Sequence, residues 1–205
     1  MAPDPQELRT FSTEVLANFQ TTAAVAPSSR YLTRAMLAPL PLGRAQAAVE
    51  FGPGTGAMTR ALLAALPARA TLYAFEISPR FRDYLAQNFS DPRLVVVPAG
   101  AERAREELAA RGVRRVDAVV SSLGLTFMPE SQRQAVLHGL VEFLAPGGVL
   151  TQYQYLHGLL AYWQVNEGRI RRFTAARLLR CYFSTVTWEM VWRNLPPALV
   201  YACRR

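Results

Sequence analysis

Five short runs are apolar at nearly every position: Ala47-Ala48-Val49-Glu50-Phe51, Thr71-Leu72-Tyr73-Ala74-Phe75, Leu94-Val95-Val96-Val97, Val116-Asp117-Ala118-Val119-Val120 and Val149-Leu150-Thr151-Gln152-Tyr153. A strand that is apolar on both sides has no face for water, so these runs read as parallel strands buried between layers of helix. The stretches between them carry helix punctuation. Ser78-Pro79 reads as a cap followed by proline at the first helical position, ahead of a helix from Arg80 to Asn88. The pattern from Glu130 to Leu144 stops at Pro146-Gly147-Gly148, just before the fifth strand. Strand and helix in strict alternation predict a doubly wound α/β sheet.

The end of the chain breaks the alternation. Thr185 to Val191 and Ala198 to Cys203 are strand-like and are joined across Asn194-Leu195-Pro196-Pro197, too short a link for a crossover helix. They are expected to pair antiparallel as a hairpin at one edge of the sheet, the sixth and seventh strands. No repeat or low-complexity tract interrupts the 205 residues, and at 51% hydrophobic the chain buries a core with ease. The expected layout is an N-terminal helical extension over residues 1–40 and one domain over 41–205.

The first strand runs directly into Gly52-Pro53-Gly54-Thr55-Gly56, with a helix opening at about Ala57. Glycines let the backbone turn tightly and approach a ligand, and a helix N-terminus offers free N–H groups to an anion. Gly52-x-Gly54-x-x-Ala57 also fits the dinucleotide fingerprint, and Glu76 lies at the right distance to bind ribose hydroxyls in either case. Glu50 separates the two readings. An acid two residues before the first glycine repels a pyrophosphate and attracts the cationic amino group of S-adenosylmethionine.

Glu50-x-Gly52-x-Gly54-x-Gly56 resembles motif I of the class I methyltransferases, and the terminal hairpin resembles the last two strands of that seven-stranded Rossmann-like sheet. The resemblance implies a cofactor site made of Glu50, Gly52, Pro53, Gly54, Thr55, Gly56, Glu76 and Ile77. It extends to Gly100, Ala101 and Glu102 after the third strand, and to Ser121, Ser122 and Leu123 after the fourth. The family's adenine-binding Asp is missing from Pro98-Ala99-Gly100-Ala101-Glu102. Glu102 is the nearest acid for the adenine amine, and its other role is a charge at a helix N-terminus.

The segment after the fourth strand speaks to the acceptor. Base-methylating enzymes carry Asn or Asp, then Pro-Pro or Leu-Pro, then an aromatic there; Ser122-Leu123-Gly124-Leu125 has none of these. An aliphatic amine needs in-line approach and aromatic faces for its methylated, cationic product. Tyr31, Phe127, Tyr153, Tyr155, Tyr162 and Trp163 supply aromatics, each either core or cage, and His157 is either a general base or structural.

Ala26-Pro27-Ser28-Ser29-Arg30-Tyr31-Leu32, the Glu50 to Gly56 loop, Pro146-Gly147-Gly148, Gln152-Tyr153-Gln154-Tyr155 and Arg193-Asn194-Leu195-Pro196-Pro197-Ala198-x-Val200-Tyr201 together resemble the bacterial phospholipid N-methyltransferases, over roughly residues 20–205. The resemblance implies stepwise methylation of phosphatidylethanolamine to phosphatidylcholine, with S-adenosylmethionine as cofactor and no metal. Tyr31, Tyr153 and His157 become the candidate catalytic residues. The chain departs from the family at Gly100, where Asp is frequent, and at Gly124, where Pro is frequent.

The expected partners are a phosphatidylethanolamine-containing anionic membrane and its lipid, with no nucleic acid. All 23 basic residues are arginine, and the net charge of +8 is concentrated in residues 157–205, which hold eight Arg against two acids. Arg169, Arg171 and Arg172 are the candidate phosphate ligands, their alternative being a solvated basic face. Leu8, Phe11, Val15, Leu16 and Phe19 form one apolar stripe on a helix from about Pro5 to Gln20, suited to a lipid interface or to the domain's own core. The N-terminus lacks a signal peptide's basic start and apolar run, so the expected location is the cytoplasmic side, peripheral to the inner face of the membrane. Cys181 and Cys203 read as two buried thiols. The main rival is an rRNA adenine dimethyltransferase, which shares the loop, the downstream acid and an affinity for polyanions.

Overall fold

The computed structural model describes residues 29–125, 128–155, 163–166, 169–172 and 175–205, with the backbone alone over 163–166 and 169–172. In chain order the elements are α1 (Arg30–Leu37), β1 (Ala47–Phe51), α2 (Ala57–Ala65), β2 (Thr71–Phe75), α3 (Pro79–Asn88), β3 (Leu94–Val97), α4 (Ala104–Ala110), β4 (Val116–Ser121), α5 (Glu130–Phe143), β5 (Leu144–Tyr155), β6 (Trp163–Asn166), β7 (Arg169–Arg172), α6 (Ala175–Leu179), β8 (Thr185–Val191) and β9 (Ala198–Arg204). Among the described residues seven strands form one sheet in the order β3-β2-β1-β4-β5-β9-β8. The first five are parallel, and β9 lies antiparallel between β5 and β8. The expected terminal hairpin is therefore present, with its second strand inserted against the parallel core.

Apolar side chains on both faces of the sheet build two cores. Val49, Phe51, Phe75, Leu150 and Tyr201 share one with α4 and α5; Ala48, Leu72, Val120, Val149 and Val200 share the other with α1 and α2. Two-sided burial is what the unbroken apolar runs encode. Helix α1 buries Leu32 and Met36 completely against this second face, so the described part of the N-terminal extension belongs to the core. The stripe at residues 5–20 lies outside the described residues.

Three local expectations need correction. Ser78 has the extended backbone of a cap, but its side chain makes no capping bond; Pro79 does open α3, and the Ser78 N–H instead donates to Glu76 Oε1 at 2.8 Å. Strand β5 begins at Leu144, not Val149, because Pro146-Gly147-Gly148 forms a bulge, with Gly147 at φ +73°, that shifts the register from Val116↔Leu144 to Ala118↔Val149. Cys181 is exposed at the end of α6, whereas Cys203 is buried, which pushes its thiol up to about 12.

The β8–β9 turn is tied to the start of α1. Buried Asn194 accepts from the Ser29 N–H at 3.3 Å and donates to the Pro196 carbonyl at 2.7 Å. Ser29 in turn caps α1, its Oγ accepting from the Leu32 N–H. Asn194→Ala leaves buried backbone groups unpaired and is expected to cost about 1–3 kcal/mol in urea unfolding, with m unchanged.

Candidate active site

The site is built where the parallel strands end. After Phe51 the chain passes through Gly52, Gly54 and Gly56, at φ +72°, +55° and +77°. These left-handed angles are steep for any residue with a Cβ and free for glycine. Gly56 begins α2 without a side-chain cap, so the helix's first N–H groups are available to an anion. A Cβ on Gly54 would meet nothing within 4 Å, so the loop has open space above it.

Two carboxylates flank the loop. Glu76, at the end of β2, is 4% exposed and accepts from the Gly54 N–H at 3.2 Å as well as from Ser78. Behind it Arg82 donates to the carbonyls of Glu76 and Ile77, fixing the segment's course. Ile77 is 42% exposed beside this inward-turned acid, an apolar surface next to a polar hook. Glu50 is fully buried beneath α2, where its Oε2 accepts from Thr59 Oγ1 at 2.7 Å and its Oε1 has no hydrogen-bond partner. Burial raises its pKa to about 7, against the lowering effect of Thr59 and with added repulsion from Glu76. An orphaned carboxylate oxygen in such a place is stabilised by a cation, whereas the pyrophosphate that a dinucleotide places at such a loop is repelled by it.

After the third strand the chain turns at Gly100, over which the Glu102 carboxylate folds so closely that a Cβ there would overlap it. Glu102 is exposed and sits in the first turn of the short helix Ala101–Arg103, with Gln132 Nε2 3.5 Å away. Ala101 is buried against the core. The geometry keeps both roles of Glu102, since it is at once at the sheet's carboxyl edge and at a helix start.

Register joins the glycine loop to the acceptor side. Phe51, Ser121 and Gln152 are neighbours across β1, β4 and β5, so the next row is Gly52, Ser122 and Tyr153. A Cβ on Gly52 would lie 3.8 Å from that of Ser122, and Ser122 sits beside the Tyr153 hydroxyl. Burial raises the Tyr153 phenol far above its ordinary range, with neighbouring Tyr155 adding to the rise. The Tyr153 and Tyr155 rings pack edge to face at 5.2 Å. Tyr31 lies on the same face of the sheet, with the guanidinium of Arg193 5.5 Å and that of Arg30 4.9 Å from its ring centre.

The structure therefore gathers Glu50, Gly52 to Gly56, Glu76, Ile77, Ser122 and Tyr153 along one edge, with Tyr31 nearby. Ser121 is buried below and orients Leu123, whose carbonyl accepts from Gln152 Nε2 at 2.8 Å. His157, Phe127 and Tyr162 lie outside the described residues. Arg169, Arg171 and Arg172 fall in β7, which pairs antiparallel with β6 in a separate two-stranded sheet, opposite Asn166, Gln164 and Trp163. That hairpin was not expected from the sequence. Thr59, Arg82, Gln152 and Asn194 are the supporting residues that sequence reasoning missed. Their partners are carboxylates and backbone groups set by the fold, and only the strings holding Gln152 and Asn194 stood out beforehand, without their jobs.

Residues 49–150 match the family model described as a methyltransferase domain. Among curated proteins the chain is similar to an ornithine lipid N-methyltransferase of Singulisphaera acidiphila, 28% identical over 183 residues, spanning 89% of this chain and 88% of that one. Among solved structures it is similar to the 1,6-didemethyltoxoflavin-N1-methyltransferase of Burkholderia thailandensis bound to S-adenosylhomocysteine, with TM-score 0.63 and 17% identity over 100% of this chain and 92% of the other. It is also similar to human methyltransferase-like protein 13 in complex with SAH, with TM-score 0.61 and 20% identity over 86% of this chain and 82% of that one. The fold is that of the class I methyltransferases and the cofactor is S-adenosylmethionine. The orphaned Glu50 oxygen, the Glu76 hook and the open space over Gly54 fit that cofactor's amine, ribose and backbone-held carboxylate.

Proposed function

We propose that this class I methyltransferase domain methylates the amine of a membrane lipid, phosphatidylethanolamine, stepwise to phosphatidylcholine. The observation that carries the lipid reading is the similarity, over nearly nine tenths of both chains, to an enzyme named for an ornithine lipid. Both lipids present a primary aliphatic amine. The Gly52–Ser122–Tyr153 row supports it further, because it offers hydroxyl oxygens and tyrosine faces, and no Asn-Pro-Pro platform for a base.

S-adenosylmethionine, when bound, supplies an electrophilic methyl group that a neutral amine's lone pair takes up. The glycine loop and the start of α2 hold the cofactor's carboxylate, Glu50 its amino group and Glu76 its ribose. Ile77 and the Gly100 to Glu102 turn border the adenine. Tyr153 stays a neutral phenol at physiological pH, so it is a positioning hydrogen-bond partner for the amine and not a base. Tyr153 offers a ring face to the cation that each methylation creates, beside Tyr31, whose own ring carries the Arg30 and Arg193 guanidiniums. Catalysis then rests on orientation and on excluding competing water.

The test is transfer of labelled methyl to vesicles containing phosphatidylethanolamine, beside vesicles containing ornithine lipid and an undermethylated rRNA. Label is expected in phosphatidylethanolamine. Glu76→Ala, which removes a charged ribose partner, is expected to lower turnover at limiting cofactor roughly 10- to 100-fold. Label in ornithine lipid alone would correct the headgroup, and label in neither lipid would overturn the reading.

A further inference from the structure

The hairpin β8–β9 rises past the cofactor edge. Tyr155, Ala198 and Val191 stand in one row, three residues beyond the Phe51–Ser121–Gln152 row where β1 ends. At about 3.3 Å per residue the turn Trp192 to Pro197 stands roughly 10 Å above the floor of the site. Its side chains face water in an unusual way for a soluble surface. Leu195 is 83% and Trp192 70% exposed, next to exposed Arg193. The adjoining segment 29–37, tied to this turn through Asn194 and Ser29, adds Arg30 and Arg34 and carries no acid.

We infer that the β8–β9 turn is a membrane-docking rim, with Trp192 and Leu195 inserting among the lipids of an anionic bilayer while Arg193 and Arg30 meet their phosphates. This deepens the lipid-acceptor reading and rests on it. Tryptophan is suited to such a depth because it is apolar in body and carries one N–H for the headgroup layer. Arginine stems lie along apolar surface while their planar forks pair with phosphate. Docking at this height would bring headgroups beside the wall that ends in Tyr153 and Tyr155, so the amine reaches the site without leaving the bilayer. The three arginines and the lack of an acid in these two segments select an anionic surface over an apolar protein face.

The test keeps the full chain. Trp163→Phe/Trp188→Phe leaves Trp192 as the single tryptophan of the three in the sequence. On mixing with phosphatidylethanolamine/phosphatidylglycerol vesicles its emission is expected to shift blue and to be quenched by brominated acyl chains. Trp192→Ser/Leu195→Ser is expected to weaken vesicle binding about 100-fold, near tenfold per side chain, with an unchanged affinity for S-adenosylmethionine. Trp188→Ser, which alters a 58% exposed residue down the edge strand, is the control and should bind vesicles normally. No quenching, undiminished binding of the double variant, or Trp192 emission already blue without vesicles would overturn the inference; the last outcome would mean that another part of the chain or a second copy covers the turn. Docking through Trp192 by a protein that methylates no lipid would sink the acceptor reading alone. Lipid methylation with full vesicle binding in the double variant would sink the docking rim alone.

Discussion

Gly56→Ala is expected to destabilise the fold by about 2–5 kcal/mol, the sum of about 1–2 kcal/mol for a Cβ in the left-handed region and about 1–3 kcal/mol for overpacking. Gly56 sits at φ +77°, and a Cβ there would come within 2.5 Å of Phe89 Cε2 and 3.0 Å of Leu85 Cδ2. Phe89 does not swing aside freely, since it packs on the second core and carries the Arg60 guanidinium 4.8 Å from its ring centre. Urea unfolding of Gly56→Ala in the Phe89 and Phe89→Leu backgrounds separates the two contributions. The smaller residue relieves the steric part and leaves the dihedral part. Equal costs in both backgrounds would show that Phe89 yields at no expense.

Glu50→Gln is expected to weaken S-adenosylmethionine binding roughly 30-fold or more at pH 8, the scale for removing one partner of a buried charge pair. The pH dependence carries the diagnosis. Burial, the largest influence, lifts the Glu50 carboxyl from 4.5 to about 7 in the folded chain. The folded state therefore holds a proton that the unfolded chain has released, so this contribution is fully present below pH 4.5 and is lost as pH rises through about 7. The interval corresponds to about 3 kcal/mol of cofactor-free stability declining across it. Glu50→Gln should flatten that decline. Cofactor affinity should run the opposite way in the parent, weakening about tenfold per pH unit below about 7 as Glu50 protonates and its pull on the cationic amine disappears. Isothermal titration across roughly pH 5.5–8.5 reads this directly. A variant with parental affinity at every pH would leave Glu50 only a structural role beneath α2.

Much of the fold was legible in the sequence, for a physical reason. Runs such as Leu94 to Val97 are apolar on both faces, and a two-sided strand has one environment to choose from. The glycine loop was equally legible, because left-handed backbone between a strand and a helix is written in residue type. Glu50 was legible from its place two residues before the first glycine, and Glu76 from its distance downstream of the loop. The class of cofactor followed from the sign of one charge.

What only the tertiary structure decided is where distant segments meet. Thr59 on Glu50, Arg82 on the Glu76 carbonyl and Gln152 on the Leu123 carbonyl join a side chain to a partner that no local period predicts. Ser122 and Tyr153 became one row with Gly52 only through register across three strands. Asn194 is one residue of a short link between two strands in the sequence, and in the fold it holds the Ser29 N–H. The bulge at Gly147 and the insertion of β9 between β5 and β8 are likewise matters of pairing. Local sequence sets which face a residue prefers, since that preference is a property of its own side chain. Which residue stands opposite depends on packing the whole sheet at once, and that is what lifts Trp192 and Leu195 into water beside the site.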